Sequence, residues 1–114
     1  MEIIIKTQKE WDAIPNDYSG TILIQSKKED SLVINNKPNS YIIIDKDCYV
    51  REMRNNSQVG VMRDNSQVGE MWDNSQVREM WDNSLVGVMI GNSQVGVMWD
   101  NSQVRKMIDN SQVR

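Results

Sequence analysis

"DNSQVREMWDNSLVGVMIGNSQVGVMWD" (residues 73–100) writes one nine-residue phrase three times. Asn-Ser is followed by one residue, then Val, then two more, then Met. Outward from this stretch, Asn-Ser recurs with Asn at 56, 65, 74, 83, 92, 101 and 110. Val recurs at 59, 68, 77, 86, 95, 104 and 113, and Met at 62, 71, 80, 89, 98 and 107. The period is nine and never slips. One block earlier, "DCYVREMRN" (47–55) fits the same frame, with Asp47 in place of Asn and Cys48 in place of Ser. "NSYIIIDK" (39–46) is a worn copy one residue shorter, so the array begins near residue 39.

A period of nine decides the fold class. Helical solenoids need two helices per repeat and about 30 to 50 residues. One long helix is excluded too, because every block carries Asn and Ser, and many carry Gly, all weak helix formers. Val favours strands, and Gly or Asn is expected at the corners, since both tolerate left-handed backbone. The sequence therefore predicts an all-β fold, a β-solenoid (β-helix) of nine-residue repeats. Nine residues are too few to leave, turn twice and return around a filled core. Two blocks should close one coil of about 18 residues, each coil stacked about 4.8 Å from the next. The calcium-binding nonapeptide roll has a similar period, but its Gly-Gly-x-Gly-x-Asp pattern is missing, so no calcium and no other cofactor is expected.

Comparing blocks separates inside from outside. Ser, Val and Met hardly vary and should fill the core. Ser and Val are two apart and share a face, whereas Met comes three after Val, so a bend is expected at the Gly/Arg position between them. The positions at 60, 69 and 78 (Gly or Arg), 61, 70 and 106 (Val, Glu or Lys) and 63, 72 and 90 (Arg, Trp or Ile) should face out. Coils of 18 then give columns. Arg63, Trp81 and Trp99 align on one face, and Arg54, Trp72, Ile90 and Ile108 on the opposite one. Asp64, Asp82 and Asp100 form an acidic ladder, with Asp73 and Asp109 across from it. Corner Asn columns are expected to bond along the stack, as amide ladders do.

The first 38 residues lack the repeat and predict a small N-terminal α/β cap (1–38) that merges into the solenoid (39–114). "EIIIKT", "TILIQS", "SLVINN" and "SYIIID" read as strands and "NDYSG" as a turn. Thr7 with Glu10 is a capping box for a short helix over 8–13, ended near Pro15.

Composition narrows the function. The chain has 114 residues, 25% charged, with a formal net charge of -3. A nucleic-acid binder would be basic, so direct nucleic-acid binding is not expected. There is no histidine, which removes His-based triads and the usual His/Cys metal sites. The single cysteine, Cys48, stands at a Ser core position and reads as a buried structural thiol suited to a reducing cytoplasm. The apolar start, residues 1–6, is too short to span a membrane.

The segment "EWDAIPNDYSGTILIQS" (10–26), followed by runs of "NSQV", resembles small bacterial and phage tandem-repeat proteins. Those pair an Ile-Pro-x-Asp-Tyr/Phe-Ser-Gly-x-Ile-x-Ile segment with tandem Ser-Ser-x-Val blocks. The matching residues here are Ile14, Pro15, Asp17, Tyr18, Ser19 and Gly20. The resemblance implies a solenoid in a phage or mobile-element setting and no activity. In those relatives Ala often follows Val at two residues with a period near eight. Here Met follows at three, so their corner geometry does not carry over.

Two carboxylate columns invite a divalent cation, but the bland alternative, a solvated acidic face beside the Arg columns, has more weight. Trp72, Trp81 and Trp99 are the strongest functional signal, since an exposed Trp column is costly without a purpose. With Arg63, Asp64, Asp82 and Asp100 they form the expected partner-binding face. No acid–base or nucleophile set is visible, so no enzyme is expected. Function is read as a rigid, non-enzymatic protein-interaction module of the kind a phage or mobile element uses to inhibit a host defence or nucleic-acid enzyme. The alternative is a structural, self-assembling solenoid. The array stops inside a block at "DNSQVR" (109–114), without an atypical capping unit. That predicts a homodimer through the C-terminal coil, with Val104, Met107, Ile108 and Val113 at the interface.

Overall fold

The computed structural model describes residues 2–113. Met1 and Arg114, at the ends of the first expected strand and the last repeat, lie outside the described residues. The chain is a stack of parallel strands, a β-solenoid, with one short α-helix near its start. In chain order the elements are β1 (Glu2–Ile5), α1 (Gln8–Asp12), β2 (Thr21–Ile24), β3 (Val33–Ile34) and β4 (Tyr41–Ile44). The repeats add β5 (Tyr49–Met53), β6 (Gln58–Met62), β7 (Gln67–Met71), β8 (Gln76–Met80) and β9 (Leu85–Met89). Then come β10 (Gln94–Met98), β11 (Gln103–Met107) and β12 (Gln112–Val113).

Two sheets form. One runs β1-β2-β4-β6-β8-β10-β12, the other β3-β5-β7-β9-β11. Every pairing is parallel, and in the repeats Val77 faces Val95 on one side and Val59 on the other, an offset of 18 residues. Two nonapeptide blocks therefore close each coil. The ladder pairs Val77 with Val95 and Glu79 with Val97, stepping over Arg78 and Gly96. That skipped position is the bend. It lets Val and Met, three apart, both point inward: Val59, Val86, Met62 and Met89 are fully buried. At Gly60 the exposed Tyr41 ring fills the space that a Cβ would take, so a larger residue there would displace that ring.

The Ser column is also fully buried from Ser57 to Ser93. Its hydroxyls have no hydrogen-bond partner among the described residues. Buried unpaired hydroxyls are unfavourable, so small size, rather than hydrogen bonding, is what the position demands.

The corners differ from expectation. The left-handed residue is the one before the Asn position: Asn55 (φ 59°) and Gly91 are of the expected types, Lys46 (φ 57°) is not, and in the other blocks it is Asp. Asp64, Asp73, Asp82, Asp100 and Asp109 have φ between 59° and 63°. Only Gly91 occupies the equivalent place as glycine, at φ 72°. Asp, like Asn, is among the non-glycine residues that enter the left-handed region most readily. The carboxylates also replace the expected Asn ladder. The backbone N–H of Asp64 donates to Asp82 Oδ2 (3.1 Å) and that of Asp82 to Asp100 Oδ2 (3.3 Å). On the opposite corner the Asn55 N–H donates to Asp73 Oδ2 (3.1 Å). The repeat Asn residues bond along the stack mainly through backbone, as Asn83 N–H does to Asp64 O (3.0 Å). Side-chain amide bonding is seen from Asn65 to Asp47 (3.3 Å).

The first 38 residues belong to the same stack. Thr21 faces Glu2 below and Tyr41 above, so these coils hold 19 and 20 residues instead of 18. α1 lies within the first of these coils. Thr7 and Glu10 make the capping box: Glu10 N–H donates to Thr7 Oγ1 (3.2 Å) and Thr7 N–H to Glu10 Oε1 (3.3 Å). α1 then covers the free edge of β3. Gln8 Nε2 donates to Val33 O (2.9 Å), and Val33 N–H donates to Gln8 Oε1 (2.7 Å). One side-chain amide thus stands in for a neighbouring strand. Trp11, fully buried, donates to Asn35 Oδ1 (3.3 Å) and carries the Lys37 ammonium 4.7 Å above its ring. Lys37 is itself buried and donates to Ile14 O (3.0 Å) and Asn16 Oδ1 (3.2 Å). Burial pushes its pKa below the usual lysine value, against the pull of Asp12.

Candidate interaction face

The residue after each Met leaves the core and opens the corner. Backbone bonds keep these residues in register: Trp81 N–H donates to Met62 O and Trp99 N–H to Met80 O, both at 2.8 Å. Arg63, Trp81 and Trp99 therefore form one column, as expected. The two indoles stack with centroids 4.9 Å apart and planes 9° from parallel. That spacing is the rise of one coil, so the strand repeat itself imposes the stack. Trp99 is 48% exposed and Val97, two residues before it, 41%. Below the indoles, Arg63 pairs with Asp45 (3.2 Å).

Trp72 does not join this face. It lies in the other column, above Arg54, whose guanidinium carbon is 5.8 Å from the ring centroid. Ile90 and Ile108 continue that column, with Ile90 N–H on Met71 O and Ile108 N–H on Met89 O (both 2.8 Å). Asp64, Asp82 and Asp100 stand beside the Arg63–Trp81–Trp99 column as an exposed ladder whose carboxylates serve the corner bonds.

Sequence reasoning missed the glutamates. Glu70 Oε1 accepts the Trp72 indole N–H (2.7 Å), and Glu79 Oε1 accepts that of Trp81 (2.9 Å). Glu52 bonds Arg54 in the same way. The signal was present: at 52, 70 and 79 Glu always stands two residues before Arg or Trp. In a strand that spacing puts both side chains on one face.

Cys48 is buried, and its thiol donates to Ile24 O (2.9 Å). Burial, helped by Asp45, pushes its pKa up to about 11, so the thiol stays protonated at neutral pH. It is the structural thiol expected from its place in the Ser column.

At the last coil, Met107 is 46% and Ile108 37% exposed, whereas Val104 and Val113 pack partly against the core. No helix among the described residues is long and apolar enough to cross a membrane. No family model matches the sequence, and no curated protein or solved structure matches it.

Proposed function

We propose that the chain is a rigid, non-enzymatic protein-interaction module that engages a protein partner through the Arg63–Trp81–Trp99 face. One observation carries this reading. Two indoles, Trp99 exposed and Trp81 half-buried, are stacked on the outside of the solenoid beside the exposed Val97. Exposed aromatics held rigidly are the side chains that dominate protein interfaces. The most specific form of the reading is an inhibitor of a host defence or nucleic-acid enzyme, made by a phage or mobile element and acting in the cytoplasm. That form draws on the resemblance of residues 10–26 and the repeats to phage tandem-repeat proteins. The test is capture from a host lysate by wild type and by Trp81→Ala with Trp99→Ala. The double variant is expected to keep its circular dichroism spectrum and lose the captured partner. Undiminished capture would overturn the assignment of the face.

A further inference from the structure

We propose that the Trp81–Trp99 face is a docking site for arginine side chains on a basic protein surface. This rests on the interaction-face reading and names the chemistry of the partner. The molecule already builds such a site on its opposite side. There Glu70 accepts the Trp72 indole N–H (2.7 Å), and the Arg54 guanidinium lies over the same ring at 5.8 Å. Carboxylate, indole and guanidinium form a complete set. In the other column Glu79 accepts the Trp81 indole N–H (2.9 Å), and Trp99 stacks on Trp81. No cation lies over either ring among the described residues. The nearest candidate in the column, Arg63, is held by Asp45 (3.2 Å). Two of the three parts are present, and the partner supplies the third.

Charge points the same way. Glu79, Asp82 and Asp100 are exposed and flank the two indoles. A carboxylate that accepts the indole N–H enriches the ring in electrons and strengthens its pull on a cation. A planar guanidinium stacks on an aromatic face and forks to a carboxylate at once, which an ammonium does not. Asp82 and Asp100 are one coil apart, so two arginines in extended sequence can each meet an aspartate. Nucleic-acid bases would also stack on tryptophan, but these three carboxylates repel the phosphates that provide most of such affinity.

The experiment titrates the 114-residue chain calorimetrically with a capped hexa-arginine peptide, its neutral isostere hexacitrulline, and an oligothymidylate. The arginine peptide is expected to bind and hexacitrulline not. Trp81→Leu with Trp99→Leu, and separately Asp82→Asn with Asp100→Asn, should each weaken binding about tenfold. Asn tolerates the left-handed corner, so the second pair keeps the fold. Trp72→Leu, on the opposite side, should leave binding unchanged. Equal binding of hexacitrulline, an equal loss with Trp72→Leu, or binding of the oligonucleotide in place of the peptide would each overturn the proposal. Should the Trp double variant lose a lysate partner while the arginine peptide fails to bind, the face stands and the arginine assignment falls. Should that variant keep its lysate partner, the face itself falls.

Discussion

At the scale of single residues, the corner aspartate does two things at once. Asp82 takes φ 60°, and its carboxylate accepts the Asp64 N–H one coil below. Asp82→Ala should cost about 2–3 kcal/mol, the sum of left-handed strain on an ordinary residue and one lost bond. Asp82→Asn, which keeps both features, should cost under about 1 kcal/mol. Urea titrations of the two variants check this, and equal midpoints would show that the corner is not held by its side chain. Cys48 makes a pH prediction. Its folded pKa, about 11, lies above the ordinary thiol value of 9.0. The unfolded chain therefore releases its proton first, so the stability this thiol contributes is whole below pH 9 and declines between pH 9 and 11. Cys48→Ser fits the same column and removes the titration. Its stability should fall less than the wild type's across that window, and parallel curves would contradict the assignment. The corner was misread from the sequence because Asn, Gly and Asp all tolerate left-handed backbone. Which of three consecutive residues turns is settled by cross-coil bonding that no single block displays. The Glu–Trp pairs, by contrast, are legible in the two-residue spacing of Glu70 and Trp72 and of Glu79 and Trp81.

At the scale of elements, the repeat made most of the fold legible. A strict period of nine, with three near-constant positions, is enough to place the strands, their inward faces, the 18-residue coil and the columns Arg63–Trp81–Trp99 and Arg54–Trp72. The Thr7–Glu10 capping box was legible for the same reason, since its parts are adjacent. What could not be read was how the N-terminal elements join the stack. Gln8 meets Val33 across 25 residues of chain, and Trp11 meets Asn35 across 24. No local pattern announces such pairs. The role of Gln8 is nonetheless sharp, because an open parallel edge is an invitation to other strands. Gln8→Leu would leave the outward N–H and C=O of Val33 unpaired at the rim. The expected loss is about 1–2 kcal/mol, with faster hydrogen exchange at the Val33 amide and no change at β8. Unaltered exchange at Val33 would mean that α1 covers β3 by packing alone.

At the scale of the whole molecule, each coil touches only its neighbours, so stability and exposure vary along the axis. The described chain measures 31 × 24 × 24 Å. Burial falls along the array: Met80 and Met89 are fully buried, whereas Met107 is 46% exposed. Truncating a buried Met removes its apolar contacts and leaves a cavity, so Met80→Ala should cost about 2–5 kcal/mol. Met107→Ala removes contacts that are already half lost to solvent and should cost about 1 kcal/mol or less. Because each coil leans only on its neighbours, the Met80 variant should also speed hydrogen exchange in β6 and β10 more than in β1. Urea titrations of the two variants check the contrast, and equal losses would show that the middle and the last coil are packed alike.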